Sequence, residues 1–417
     1  MEAFHGDECG VLHDQHGRVR EEVRPLSVRG RAIRHDNFSA EKRVTATGGP
    51  RGGTASARPP SGATVKDTLG RYAARGIRDL RPDSYAFVMA TGIMALAASQ
   101  AELVSVSWAL FQIARAAYAG LWLLTLARLA FHARRMVADL ISPTRSAGVL
   151  TVVAATCVLG SLYILLARDR GTAFFLWTLG AVLWLMLMYT FFAAAMVREP
   201  KPALTSGLDG SWLMVVVATQ SVSLLGTLVV SGWGPERPLG LFVTLALYLL
   251  GCALYVPIIV MILYRLLFLQ VTPADLSPPY WISMGSLAIS TLAGAVLAGA
   301  APGEAGLREV LPVLRALTLA LWAMGTWWIP LLVFLGAWKH LLWGVPLTYT
   351  SEYWAMIFPL GMYTASTFEL AQVTGMIFLG GIAHVFIYAA LAGWCWAFVG
   401  LVRGLAMSAV ALVQGGS

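Results

Sequence analysis

The side chains of this sequence that could act on a solute are mostly hydroxyls and amides set within long apolar segments. Thr91, Gln220, Ser221 and Ser286 are of this kind, and Thr91 is followed by Gly92. No Lys, Arg, His, Asp or Glu lies mid-segment beside them. Mid-membrane ionisable residues mark proton relays and charge-coupled transport, so their absence favours a passive pathway. A neutral, hydroxyl-lined pore has no carboxylate ring to attract cations and suits a small anion. Each of these residues could equally serve helix packing.

Other kinds of chemistry find little support in the sequence. The four cysteines have no CxxC spacing, and three of them lie in apolar runs as small buried side chains. There is no HExxH motif, no GxSxG motif and no pair of intramembrane carboxylates. His5, His13 and His16 are scattered through a polar tail, where histidines usually bind nothing. We therefore expect no enzyme activity, no metal site and no cofactor.

The composition indicates a membrane protein. Of the 417 residues, 58% are hydrophobic and only 12% are charged, and the mean hydropathy is +0.69. A soluble protein has about a quarter of its residues charged. These values exclude a soluble enzyme, a disordered chain and a fibrous protein. The net charge of +8 fits the cytoplasmic excess of basic residues in membrane proteins, and we expect no nucleic-acid partner.

The N-terminal region is polar and differs from the rest of the chain. Residues 1–63 are rich in Gly, Ser, Pro, Arg and His and have almost no apolar periodicity, which predicts a disordered cytoplasmic tail. Residues 64–83 combine apolar residues at helical spacing with a basic face. That pattern predicts a short amphipathic helix on the inner membrane surface. Residues 84–404 would form the membrane domain, and residues 405–417 a short C-terminal tail.

Ten apolar segments alternate with short polar breaks after residue 83, and each approaches the ~20 residues that a spanning helix requires. Thirteen basic residues would lie on the inner side of these segments and four on the outer side if the N-terminus is cytoplasmic. The excess predicts an inner-membrane protein with both termini in the cytoplasm. The predicted spans are 84–99, 108–130, 147–167, 172–194, 211–231, 239–267, 280–299, 309–336, 351–373 and 376–400.

Odd and even segments differ in a way that suggests a repeated helical hairpin. The odd segments hold 22 Ser, Thr, Asn and Gln in 101 residues, and the even segments hold 8 in 128. Several odd segments also begin with an aromatic residue and run into a small or hydroxyl-bearing middle; the compared stretches start at residues 84, 210, 278 and 351, with a looser match at 146. Because lipid favours an apolar exterior, we expect the odd helices inside and the even helices outside. The predicted fold is an all-α polytopic membrane protein of ten helices, arranged as five hairpins around a central pore.

Short motifs in the odd segments resemble those of the tellurite-resistance/dicarboxylate transporter family. That family includes plant guard-cell slow anion channels, yeast malate transporters and fungal sulfite exporters. The resemblance covers about residues 84–404, and the order and spacing of the motifs carry it. The motifs are Ala90-Thr91-Gly92, Ala218-Thr219-Gln220-Ser221, Met284-Gly285, and residues 353–361, in which Trp354 and Phe358 stand four apart.

The resemblance implies a homotrimer in which each subunit has its own pore, ringed by five inner helices. It also implies that Phe358, in the ninth helix, occludes this pore, although the ring could instead be an ordinary packed aromatic. Family members often have prolines midway in several inner helices, whereas Pro359 is the one found here. The predicted pore lining is Thr91, Gly92, Thr156, Gln220, Ser221, Gly285, Ser286, Pro359 and Gly361.

Two functions remain open. The first is a passive channel or uniporter for small inorganic anions or dicarboxylates, embedded in a lipid bilayer. The second is a proton-coupled transporter or exporter of a malate-like dicarboxylate, sulfite or a tellurite oxyanion. A current that persists without a pH gradient would distinguish the channel from the coupled transporter.

Overall fold

The computed structural model describes residues 76–142 and 145–414, and these residues form helices and no strands. The predicted tail 1–63 lies outside the described residues, as does most of the predicted basic helix. Within the described part of that helix, residues 76–78 are helical. At the other end of the chain the last helix continues to Gln414, through most of the predicted C-terminal tail.

Ten long helices lie close to the predicted segments. Even-numbered helices extend further than predicted, and the second and the tenth each have 37 residues. The helices are α1 (Ala86–Gln100), α2 (Val104–Leu140), α3 (Thr151–Leu165), α4 (Arg170–Val197), α5 (Met214–Val230), α6 (Arg237–Phe268), α7 (Ile282–Ala300), α8 (Ala305–Ala337), α9 (Trp354–Thr374) and α10 (Phe378–Gln414).

Eight helices in the described part of the chain are long and apolar enough to cross a membrane. The chain is therefore a polytopic helical membrane protein. The other two long helices are α1 and α9. Helix α1 has 15 residues, fewer than the ~20 of a full span, and α9 includes Glu369 and several hydroxyl residues, which lower its hydropathy. That all ten helices cross the membrane in hairpins stays a prediction.

The odd-numbered helices pack against one another in a closed ring. Helix α1 contacts α3, α3 contacts α5, α5 contacts α7, α7 contacts α9, and α9 returns to α1. Each also packs against the even-numbered helix that follows it. Burial separates the two sets: 94% of the most apolar stretch of α5 is buried, against 17% for α4. Exposed Leu, Val and Phe side chains on the even-numbered helices suit contact with lipid.

Small residues allow the inner helices to approach closely. A Cβ atom on Gly160 of α3 would lie 2.5 Å from Cδ2 of Leu225 on α5. A Cβ atom on Gly294 of α7 would lie 2.3 Å from the Thr318 hydroxyl on α8. Any larger side chain would force these helices apart, which explains the small residues of the odd segments.

Helix α2 bends near its C-terminal end instead of stopping where the sequence pattern predicts. His132 has non-helical dihedral angles, φ −138° and ψ 35°, and helical structure resumes after it. Across the bend, Nη2 of Arg128 donates to Oδ2 of Asp139 at 2.6 Å, and both residues are buried. This ion pair joins the two parts of α2 across the bend, while most residues between His132 and Asp139 are exposed.

A candidate pathway through the ring of inner helices

A cavity of about 340 Å³ lies where the five inner helices begin. Every inner helix or the turn before it contributes to the lining. The first turns of the five long inner helices contribute four apolar residues and one threonine to the lining: Ala86, Thr151, Met214, Ile282 and Ala355. We call this space the inner cavity, because the predicted orientation places it on the cytoplasmic side.

The charged groups of the inner cavity are largely engaged with one another. Nη2 of Arg81 lies 2.9 Å from Oδ2 of Asp83 and 3.2 Å from Oε1 of Glu352. Oδ1 of Asp209 accepts a hydrogen bond from the backbone N–H of Ser211 at 2.9 Å. The fifth charged residue, Arg145, lies 3.3 Å from Asp139 behind the cavity wall. The lining thus has two arginines and three carboxylates, and among the described residues Asp209 takes part in no ion pair.

Five helix N-termini converge on this cavity. Each inner helix starts after a short helical turn, and the turn before α1 begins with Pro82, whose ring suits a first helical position. The helix dipole favours negative charge at such an end. Because all five inner helices run in the same direction, their N-terminal fields add within one space. The other turns are Ser146–Val149, Gly210–Leu213, Pro278–Trp281 and Ser351–Tyr353.

A second cavity, of about 350 Å³, lies at the opposite ends of the same helices. It has two charged residues in its lining, Arg237 at the start of α6 and Glu369 near the end of α9. We call it the outer cavity. The inner helices contribute Leu96, Gln100, Ser161, Leu165, Leu224, Leu228, Ser231, Leu292, Val296, Gly299, Ala300 and Glu369.

One layer of side chains lies between the two cavities on every inner helix. Residues seven apart share a helix face. The residue seven positions after each of the five first-turn residues, Ala86, Thr151, Met214, Ile282 and Ala355, therefore points in the same direction as that residue. Four members of this layer are apolar and one is a serine, and all are at most 3% exposed. We call it the central layer, and its members are Ile93, Val158, Ser221, Ile289 and Met362.

Phe358 lies one helical turn closer to the inner cavity than the central layer. It follows Ala355 by three residues and precedes Met362 by four, so it shares a face of α9 with both. Its side chain is completely buried. The next residue, Pro359, packs on Gly285 of α7, where an added Cβ would lie 2.7 Å from the proline Cγ. The proline thus fills the contact between α9 and α7, and this contact fixes which face of α9 meets α7.

Three of the predicted lining residues form side-chain hydrogen bonds to outer helices. Oγ1 of Thr91 accepts a hydrogen bond from Trp394 Nε1 at 3.1 Å. Oγ1 of Thr156 pairs with the Tyr118 hydroxyl at 2.8 Å. Nε2 of Gln220 donates to the backbone oxygen of Tyr248 at 3.0 Å. These side chains join inner helices to outer helices, which is the packing alternative that the sequence left open.

The remaining predicted residues divide between helix contacts and the cavity-facing side. An added Cβ on Gly92 would lie 2.8 Å from Val158, and one on Gly361 would lie 2.8 Å from Met94, so both glycines serve contacts between inner helices. Ser221 belongs to the central layer. The hydroxyl of Ser286, one turn after Ile282, donates to the Ser283 backbone oxygen at 3.3 Å.

Sequence reasoning did not single out the apolar members of the central layer or most of the charged residues of the cavities. When a helix is apolar on all sides, the sequence does not show which of its apolar residues face the cavities. The signal that could have found the layer is the repeated interval of seven residues from Ala86, Thr151, Met214, Ile282 and Ala355. In the described residues, no cluster of His, Cys, Asp and Glu could hold a metal ion.

Comparison with known proteins agrees with this architecture. The chain is 36% identical over 153 residues to an uncharacterized membrane protein of Mycobacterium tuberculosis, covering 37% of this chain and 77% of the relative. It is 22% identical over 305 residues to an uncharacterized transporter of Methanocaldococcus jannaschii, covering 72% of this chain and 87% of that protein. Residues 79–402 match the family described as voltage-dependent anion channel, which confirms the family predicted from the motifs. The chain belongs to the voltage-dependent anion channel family.

Proposed function

We propose that the ring of inner helices forms a passive pathway for small anions or dicarboxylates. The observation that carries the proposal is the pair of cavities at opposite ends of one helix ring, with buried and mostly apolar side chains of the inner helices between them. Membership of an anion channel family supports the same function. Five converging N-termini favour an anion at the inner end, and the neutral central layer has no charge to hold it.

In this mechanism the pathway is closed by side chains at its centre. Phe358 lies on the face of α9 that lines the inner cavity, and it is completely buried. A large ring between the cavities would exclude an anion by its volume and by making the constriction too apolar to wet. Ser221, in the central layer, and Ser286, one turn nearer the inner cavity, would offer hydroxyls to a passing anion once the ring moves. Thr91, Thr156 and Gln220 would contribute to the pathway by holding the inner helices in place.

The test is anion flux into proteoliposomes with Phe358→Ala. We expect flux to rise about tenfold or more, because a factor of ten corresponds to about 1.4 kcal/mol of barrier. Phe111→Ala is the matched control, since Phe111 is a buried phenylalanine of the outer helix α2. Both substitutions cost roughly 3–5 kcal/mol if the ring only fills space. Equal loss of folded protein without extra flux would refute the gate, and a leak with Met362→Ala alone would assign occlusion to the central layer.

The membrane arrangement is part of the same proposal. All ten helices would cross the inner membrane, with both termini in the cytoplasm and the even-numbered helices facing lipid or a neighbouring subunit. A homotrimer with one pathway in each subunit would follow the family pattern. Labelling of single cysteines introduced at Glu102 and Ala203, which lie at opposite ends of the bundle, tests the orientation. Chemical crosslinking in liposomes tests the trimer.

A proton-coupled transporter of dicarboxylate, sulfite or tellurite oxyanions is the alternative. The observation that favours this alternative is the carboxylate of Glu369 in the outer cavity. A channel carries current that reverses at the equilibrium potential of the anion, without a pH gradient. A coupled transporter moves protons with the anion and shifts that reversal potential when the pH gradient changes. Electrical recording with and without such a gradient separates the two.

A further inference from the structure

The outer cavity contains a carboxylate that no cation neutralises. Oε2 of Glu369 accepts a hydrogen bond from Nε2 of Gln100 at 3.4 Å. Among the described residues, Glu369 takes part in no ion pair. Arg237, the cation of the same cavity, is engaged elsewhere: its Nε lies 3.6 Å from Oε1 of Glu304, and its Nη2 donates to the backbone oxygen of Ala300 at 3.2 Å.

Gln100 has an unused acceptor beside this carboxylate. Its Oε1 is buried and has no hydrogen-bond partner, although buried polar atoms are usually paired. An ionised Glu369 can only accept hydrogen bonds, whereas a protonated carboxyl also donates one. A proton on Glu369 would therefore supply the donor that Oε1 of Gln100 lacks, after a rotation of the amide. The pair of side chains can accommodate both protonation states of Glu369.

The other elements around Glu369 add few titratable groups. Helix α7 contains no ionisable residue, and α1 is followed by the exposed Glu102. Helix α10 contributes His384, whose ring packs on Phe368 and whose Nδ1 lies 2.8 Å from the backbone oxygen of Gly380. The ionisable residues of α8 near this end are exposed; they are Arg308, Glu309 and Arg315.

An ionised carboxylate in this position opposes an anion that leaves or reaches the central layer through the outer cavity. Like charges repel strongly where protein replaces water, and five of the thirteen residues in the wall here are leucines. Once protonated, Glu369 presents a neutral hydrogen-bonding group. The pathway would then be neutral from the central layer to the outer mouth, apart from the paired Arg237.

We propose that Glu369 is a proton-binding site that controls anion passage through the outer cavity, conducting when protonated and opposing anions when ionised. This inference rests on the proposed anion pathway. It predicts that acidification of the outer side increases anion flux. It also predicts a dependence on the charge of the anion, since an electrostatic barrier doubles for a divalent ion and its effect on rate is squared.

The experiment measures nitrate and sulfate flux in proteoliposomes, with the outer pH changed from about 8 to about 5. Phe358→Ala serves as the background, so that central occlusion does not limit the rate. We expect nitrate flux to rise several-fold and sulfate flux by about the square of that factor. In the same background, Glu369→Gln should give an anion flux that is high and independent of pH. The flux of Glu369→Asp should still depend on pH. Glu102→Gln, an exposed carboxylate at the same end, is the matched control and should behave as the background does.

The outcomes separate this inference from the proposed function. Absence of anion flux at every pH in both Phe358→Ala and Met362→Ala would refute the pathway itself. Flux that is present but equally pH-dependent in Glu369→Gln would overturn the role of Glu369 alone. The comparison of nitrate with sulfate needs no substitution at residue 369, so it decides the matter even if Glu369→Gln fails to fold. An equal pH effect on both anions would also overturn the proposal.

Discussion

The indole N–H of Trp394 donates to the hydroxyl of Thr91 across 3.1 Å, which joins the last outer helix to the first inner helix although 303 residues separate them. Both residues are buried. Similar contacts join Trp184 to Thr219 and Trp322 to Thr367, each at 2.9 Å. A tryptophan of an outer helix thus repeatedly donates to a threonine of an inner helix. These contacts orient the inner helices without placing a charge in the membrane.

Thr91→Val should destabilise the protein and leave the flux per folded molecule unchanged. The substitution keeps the shape of the side chain but leaves the Trp394 N–H buried and unpaired, which costs roughly 1–3 kcal/mol. Thermal unfolding in detergent measures this loss. Thr91→Ser, which keeps the hydroxyl, is the matched control. Reduced flux at an unchanged unfolding temperature would instead indicate that Thr91 contacts the anion.

Gly285→Ala should weaken the packing of α7 against α9. The new Cβ would lie 2.7 Å from Cγ of Pro359 and 3.3 Å from its Cα, so the helices must separate or the proline must shift. Overpacking of this kind costs about 1–3 kcal/mol. Gly299→Ala in the same helix is the control, because its new Cβ would have Val373 Cγ2, at 4.0 Å, as its nearest neighbour. We expect a lower unfolding temperature for the first variant and no decrease for the second; similar values would contradict the close approach.

Asp275→Asn should lower stability near neutral pH and have less effect in acid. Hydrogen bonds from the side chain and backbone of Thr272 lower the pKa of Asp275, and Arg265 adds a smaller effect. A carboxyl with a lowered folded-state pKa contributes stability above its unfolded pKa of about 3.9, and loses it as the pH falls through the folded value. Unfolding temperatures at about pH 6 and about pH 3 should therefore differ more in the parent protein than in the variant.

The control for that measurement is Asp169→Asn, at the loop before α4. Asp169 has a lowered pKa for the same reason, hydrogen bonds from the side chain and backbone of Thr172, but it has no arginine partner among the described ion pairs. In both variants the unfolding temperature should change less between about pH 6 and about pH 3 than in the parent protein. Asp275→Asn should additionally loosen Arg265, which is buried and donates to the backbone oxygen of Leu208 and to the Tyr280 hydroxyl. Equal destabilisation by the two variants would show that Arg265 does not depend on Asp275.

Much of the architecture could be predicted from local patterns. Apolar segments of about 20 residues cross a membrane as helices, because a helix pairs each backbone N–H and C=O group within its own segment. The contrast in hydroxyl content between odd and even segments predicted which helices lie inside. That contrast arises because small residues such as Gly160 permit close helix contacts, while bulky apolar side chains such as Phe175 suit lipid.

The face that each side chain occupies depended on tertiary packing. Thr91, Gln220 and Ser221 have similar polarity and lie in equally apolar helices, so composition cannot separate them. The structure turns Thr91 and Gln220 towards outer helices and leaves Ser221 in the central layer. Close contacts accompany this arrangement, because an added Cβ on Gly92 would lie 2.8 Å from Val158 and one on Gly251 would lie 2.6 Å from Gln220. The outer cavity likewise exists only where five chain segments, distant in sequence, end together. A helix in an all-apolar context has little amphipathic signal, and its orientation is decided by the neighbours that it must fit.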